Sequence, residues 1–356
     1  FDVAPFGADG AAGFDVGLAS DKGYLRRYGF SRENRLESEV YLERYRDAGF
    51  LDVSAAYFQT LRDGEDQDEI PVALPEFSVR RELDAPGGFG DLGVTASSVA
   101  LTRVDGRDRV RLTLGVDWRR REILPFGLAL EGFASLRGDG YVWNDDDRFD
   151  DGALLRLAPQ AGIEAFYPLI STSEGASHVI EPGVQLIVTP TGLNPDEIAA
   201  DDTDEDSLIA EFDTSNLFDR NRAAGYDRVE SGTRVNLGVR YARRADDPLT
   251  LDASLGRVFR ITEDDAFSDG SGLAGSASDV VGSIGVGWGP WLTLENRFRL
   301  SDDLDFNRNE IRGALDIGRA RIDGSYLLLE QDATAGALVD RQEGVLAAEF
   351  DLDRQW

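Results

Sequence analysis

The chain has 356 residues and a formal charge of −30, from 67 acidic against 37 basic side chains, with neither cysteine nor methionine. That balance argues against a nucleic-acid binder, which needs a basic surface to neutralise phosphates, and the missing cysteine excludes disulfides and thiolate metal sites within this stretch. No run of about 20 apolar residues offers a membrane-spanning helix, which leaves a β-barrel open because alternating strands barely register in hydropathy.

Along the chain, period-2 alternation recurs over residues 36–45, 49–61, 92–104, 110–118, 127–143, 155–167, 179–188, 233–242, 249–261, 280–288, 291–300, 311–320 and 321–329. The series predicts an all-β, antiparallel fold with about 16 strands and no amphipathic helix. Tight joins at 46–49, 105–108 and 289–290 carry glycine and aspartate, which accept hairpin dihedrals. Other joins are long and acidic, at 63–69, 144–151, 194–207 and 262–278. Short turns at one end and long polar loops at the other characterise outer-membrane barrels. No linker-like composition divides the chain, so residues 1–356 read as a single barrel domain. Without methionine even at position 1, the chain reads as a mature segment or a fragment.

The stretch 107–121, RDRVRLTLGVDWRRR, poses the question of which solvent each strand face meets. Val110, Leu112, Leu114, Val116 and Trp118 alternate with Arg109, Arg111, Thr113, Gly115, Asp117 and Arg119. A soluble sandwich also alternates, with the apolar set in its core. Two features favour a membrane wall. Several strands run to about 12 residues, where ordinary strands run about 5 or 6 and a tilted spanning strand needs about 9 to 11. Arginine, aspartate, glutamate and glycine also crowd the polar face of strand after strand, where Arg109, Arg111, Asp117, Arg119, Arg234 and Arg240 are the candidates for lining a hydrated lumen. Trp118, Trp143, Trp288 and Trp291 near strand ends fit an interfacial girdle, as they fit soluble strand ends.

Chemistry-bearing candidates are few. His178 is the single histidine, which rules out a triad or a multi-histidine metal site and leaves a structural role. The acidic runs 145–147 and 201–206 suit calcium or magnesium but lack the spacing and glycine of a calcium loop. Carboxylates are too abundant for any pair to mark a glycosidase. GSIGVGWGP at 282–290 lacks the strand-to-helix setting of a dinucleotide site, so no cofactor is expected.

One long segment, 207–241, breaks the alternation by mixing Phe212, Leu217, Phe218 and Tyr226 with many charges before a strand at Thr233. Asn216, Leu217 and Phe218, then Gly225, Asp227, Arg228, Glu230 and Gly232, resemble a motif of the LptD (OstA) family. Residues 20–44 resemble that family's strand pair, Leu74, Pro75 and Glu76 its Leu-Pro-Glu strand, and Glu181 and Pro182 its Ile-Glu-Pro strand, in the family's order. The resemblance implies an outer-membrane translocon for lipopolysaccharide: a barrel of about 26 strands, plugged by an LptE-like lipoprotein, receiving its cargo from a periplasmic LPS-transport bridge through an N-terminal jelly-roll. It further implies that this chain is a central part of the barrel, ending in mid-strand near Arg354 and Trp356, so that gate strands and maturation cysteines lie elsewhere. No catalytic residue is implied. Two rival readings are a general porin and a soluble secreted β-sheet carbohydrate-active protein.

Overall fold

The computed structural model describes residues 2–3, 9–31, 33–144, 152–173, 175–190, 211–223, 225–262, 267–331 and 339–350. Among them the secondary structure is nearly all strand, with one α-helical turn, α1 (Tyr24–Arg27), and two 3-10 turns at Pro86–Gly88 and Asp269–Ser271. The all-β, antiparallel expectation is borne out. Two compact units divide the chain, one drawn mainly from Phe1–Arg120 and Ala134–Pro159, the other from Arg121–Phe133, Gln160–Thr191 and Pro195–Trp356.

In the first unit β1 (Asp2–Val3) pairs with β2 (Gly10–Val16), and a meander continues through β3 (Arg35–Arg46), β4 (Gly49–Thr60), β5 (Val72–Asp84), β6 (Asp91–Thr102) and β7 (Asp108–Ile123). Residues of β7, β8 (Ala129–Asn144) and β9 (Gly152–Phe166) fall in both units. In the second unit, β10 (Leu169–Ser173) and the end of β9 share β11 (Ala176–Thr189) as partner. From β11 the chain meanders through β12 (Gly232–Ala245), β13 (Leu249–Arg260), β14 (Val280–Trp288), β15 (Leu292–Leu300), β16 (Phe306–Asp316), β17 (Ala320–Leu329) and β18 (Arg341–Phe350). Residues 311–320 were expected as one strand. Here β16 stops at Asp316 because Gly318, at φ 72°, turns the chain.

Joins alternate in length. In the second unit 246–248, 289–291 and 317–319 are short, whereas 190–231, 261–279 and 330–340 are long and fall at the opposite strand ends. The first unit repeats this with the tight turn 47–48 and the long join 61–71. Asp47 adopts φ 51°, a left-handed turn conformation that aspartate tolerates.

Burial is inverted relative to a soluble sheet. On β7, Val110, Leu112, Leu114 and Val116 are 45, 45, 56 and 47% exposed, while Arg109 and Thr113 keep 4 and 2%. In the second unit Ile180, Val184, Leu186 and Val188 of β11 are exposed and Gln185, Ile187 and Thr189 buried. Leaving such side chains in water forfeits about half of the ~1.5–3 kcal/mol that full burial of each contributes. The exposed apolar face therefore calls for an apolar solvent.

Candidate functional site: a charged loop on the polar face

In the long join before β12, residues 211–223 and 225–231 pack as a body on the strands' polar face. Asn216 organises its entry: its side-chain carbonyl accepts from the Asp213 amide at 3.1 Å, and its amide donates to the Glu211 carbonyl at 2.5 Å. The following Leu217 and Phe218 then project onto three glycines. Gly183, Gly238 and Gly256 are cross-strand partners in β11, β12 and β13, so they form a row without side chains. A Cβ at Gly238 would meet Leu217 Cδ2 at 2.8 Å and Phe218 Cε2 at 3.0 Å, and one at Gly183 would meet Phe218 Cζ at 3.1 Å. The glycines are thus the socket for the Leu-Phe pair. Around it, Phe212, Leu217, Ala223, Val258, Phe267, Leu273 and Val281 make an apolar cluster that includes the next long join.

Beside this cluster lies Glu230, fully buried among three guanidiniums. Its Oε1 is 2.6 Å from Arg222 Nη1, 2.8 Å from Arg260 Nη1 and 3.2 Å from Arg234 Nε, and its Oε2 accepts from the Arg222 amide at 3.2 Å. Arg222 also donates to the carbonyls of Leu217 and Asn216, tying the loop's start to its end. Burial alone pushes the Glu230 carboxyl up, but Arg222, Arg234 and Arg260 outweigh it and hold the group below its ordinary 4.5. Strand side chains clamp the loop backbone as well. Gln185 donates to the Phe218 carbonyl at 2.9 Å and Gln160 to that of Arg220 at 2.8 Å, while Arg220 stacks 3.9 Å over Phe133 and pairs with Glu131 at 2.6 Å. Gly225 and Gly232 sit at φ 68° and 83°, turns that L side chains rarely adopt. Asp227 is buried, and Arg228 is half-buried.

Other sequence candidates lie on the same kind of face. In the first unit Arg109 stacks 4.8 Å from the Tyr141 ring, next to Asp139, which accepts from Thr113 at 2.8 Å and from Arg156 Nη2 at 2.6 Å. Arg111 is half-buried on this face. Asp117 forms a two-pronged pair with Arg80, at 2.9 and 3.1 Å, packed so closely over Gly93 that a Cβ there would collide with both. Arg119 pairs with Asp91 at 3.4 Å at the strand end. In the second unit Arg234 is buried in the Glu230 cage, and Arg240 is exposed, 3.6 Å from Glu181. Leu74 and Pro75 occupy a bulge that interrupts pairing between Ala73 and Glu76, where a missing amide donor does no harm. Pro182 lies where β11 changes partner from β10 to β9, so it too sits at a gap in the ladder. His178 Nδ1 meets the Tyr241 hydroxyl at 2.9 Å, a structural contact between β11 and β12. The acidic runs 145–147 and 201–206, and the last six residues, lie outside the described residues.

The family model for LptD, LPS transport system D, matches residues 6–356. The chain belongs to the LptD family. It is 26% identical over 267 residues to an LPS-assembly protein LptD from Hahella chejuensis, a match covering 69% of this chain and 32% of that protein. The chain thus spans about a third of the length of the curated relative it matches. Among solved structures, the FrpB iron transporter of Neisseria meningitidis in its apoprotein form aligns with 97% of this chain and 65% of its own, at 12% identity and a TM-score of 0.39, too distant to bear on the argument.

In this LptD-family chain the loop's strand-side partners, Gln160, Gln185, Arg260 and the glycine row, carry no local sequence signal. Only the register of β9 with β11 and of β11 to β13 brings them together. Beyond the loop, the polar face of β13 to β18 stays open as a cleft of about 800 Å³, lined by Asp252, Glu295, Glu310, Arg312, Asp323 and Glu343 among others.

Proposed function

We propose that the chain forms part of the wall of an outer-membrane β-barrel that assembles lipopolysaccharide at the outer leaflet. The observation that carries the membrane half of this reading is the inverted burial: apolar side chains exposed, arginines and carboxylates paired on the opposite face. Family membership supplies the cargo. In this reading the exposed face of β7 touches lipid, Arg111, Asp117, Arg119 and Arg240 line the hydrated interior, and Arg109 and Arg234 lie in buried charge clusters on the same face. A charged substitution facing lipid costs about 2–4 kcal/mol at mid-depth, whereas paired charges facing water cost little. Lipopolysaccharide sugars cross beside the polar face while acyl chains leave into the bilayer, with no bond made or broken by this chain. The loop 211–231, locked by Glu230, covers the polar face of β11 to β13 and limits leakage. The open acidic cleft of β13 to β18 is left to face water, sugar or an LptE-like plug lipoprotein, and cargo arrives over a periplasmic LPS-transport bridge. The localisation is the outer membrane of a Gram-negative bacterium.

The test is depletion of the parent protein in its host with complementation by a version lacking 212–230. Loss of surface lipopolysaccharide on depletion, and restored export but raised vancomycin uptake with the deletion, are expected. Normal surface lipopolysaccharide after depletion contradicts the assembly role. Steady ion conductance by the intact protein in planar bilayers favours a porin.

A further inference from the structure

At the long-loop end of the strands, the apolar face of the second unit carries, among the described residues, one cation that the wall reading does not use. On β13 the exposed-face series Leu251, Ala253, Leu255, Arg257 and Phe259 places a guanidinium amid hydrocarbon, with Leu237 as its cross-strand partner on β12. Arg257 stacks 5.7 Å from the Phe259 ring, donates from Nε to the Ser278 carbonyl at 2.6 Å, and pairs through Nη2 with Asp302, whose side chain is largely in solvent. Ser278 and Asp302 lie in the joins 261–279 and 301–305, at the long-loop end of the strands. A charge costs about 2–4 kcal/mol at mid-bilayer but about 0–1 near the interface. Arg257 therefore belongs at headgroup depth, with Nη1 left for a further acceptor.

Leading to it is an apolar groove of about 640 Å³, within the range of ligand pockets, lined among others by Ala165, Pro182, Val184, Val239 and Leu255, with Arg257 the charged residue among its described lining. Its floor crosses the row Gly183, Gly238 and Gly256. An apolar trough ending in a single guanidinium matches one chemistry, an acyl chain attached to a phosphate. Guanidinium recognises phosphate through charge-assisted, often bidentate hydrogen bonds. We infer that this groove holds a phosphate-bearing membrane lipid, its acyl chain across the glycine row and its phosphate on Arg257. The inference rests on the membrane-wall reading.

The intact parent protein, extracted in detergent, is to be titrated by native mass spectrometry with dimyristoyl phosphatidic acid, with dimyristoylglycerol and with inorganic phosphate. The phosphatidic acid is expected to bind about tenfold more tightly than the diacylglycerol, one charge-assisted hydrogen bond converted to affinity. Arg257→Leu should abolish that preference, Val239→Trp should block both lipids by filling the groove, and Asp302→Asn should tighten phosphatidic acid binding by removing the competing carboxylate. Circular dichroism keeps each variant comparable in fold. Equal binding of the two lipids, or a preference unchanged in Arg257→Leu, overturns the site while leaving the membrane reading intact, as does binding of inorganic phosphate at Arg257 with no lipid preference. A parent protein that stays soluble and lipid-free without detergent overturns the membrane reading itself.

Discussion

Glu230 shows how one side chain can hold a loop of some twenty residues in place. Its single carboxylate faces Arg222 from the loop and Arg234 and Arg260 from β12 and β13. Glu230→Gln removes the charge that offsets three buried guanidiniums, and loss of one partner from a buried ion pair costs about 3–5 kcal/mol. The expected result is accelerated proteolysis within 211–231 with strand content unchanged by circular dichroism. The pH dependence has a fixed sign. A carboxyl held below 4.5 when folded stabilises the loop above that value and loses the contribution as pH falls through its lower folded value. The loop's protection against hydrogen exchange, taken relative to the intrinsic amide rate at each pH, should therefore be flat from neutral pH to about 5 and fall in stronger acid, and Glu230→Gln should flatten that fall. The motif residues Asn216, Leu217, Phe218 and Glu230 stood out in the sequence. Their partners did not, because Arg260 and Gln160 lie far along the chain and meet the loop only through strand register.

Among the elements, strands were the most legible feature, since period-2 alternation depends only on neighbouring residues. Most boundaries, such as 280–288 for β14, agree closely. Five strands lie outside the alternating series, β1, β2, β5, β10 and β18, of which β5 is reached only through the resemblance at Leu74, Pro75 and Glu76. β2 (GAAGFDV) is too rich in glycine and alanine to alternate visibly, and β10 (LISTS) has five residues. The glycine row was equally hidden: Gly183, Gly238 and Gly256 look incidental until β11, β12 and β13 are laid side by side. Gly238→Val should expel Leu217 and Phe218 and reproduce the vancomycin sensitivity of the loop deletion without loss of the folded barrel. Across β6 and β7 the two faces predict opposite outcomes for one chemical change. Leu112→Arg should lower the yield of folded protein in lipid through a penalty of about 2–4 kcal/mol, whereas Thr95→Arg, on the charged face opposite Gly115, should be tolerated; equal yields contradict the assignment of faces.

For the whole molecule, alternation alone left two solvents possible, and burial decides which face is excluded from contact. The central claim is that Val110, Leu112, Leu114, Val116 and Trp118 meet lipid while Arg111, Gly115 and Asp117 face the hydrated side, with Arg109 and Thr113 buried among charged side chains on that same side. The chain has no cysteine, so single cysteines can be placed along β7 and spin-labelled in the parent protein, with any cysteine elsewhere replaced by serine. The most direct measurement is the oxygen and nickel-chelate accessibility of these labels by electron paramagnetic resonance in nanodiscs. The predicted result is a two-residue period, with oxygen highest at positions 110, 112, 114 and 116, nickel higher at 111 and 117, and both reagents low at the packed positions 109 and 113. Low accessibility to both reagents at the apolar positions would mean a protein core behind that face, and would contradict the account.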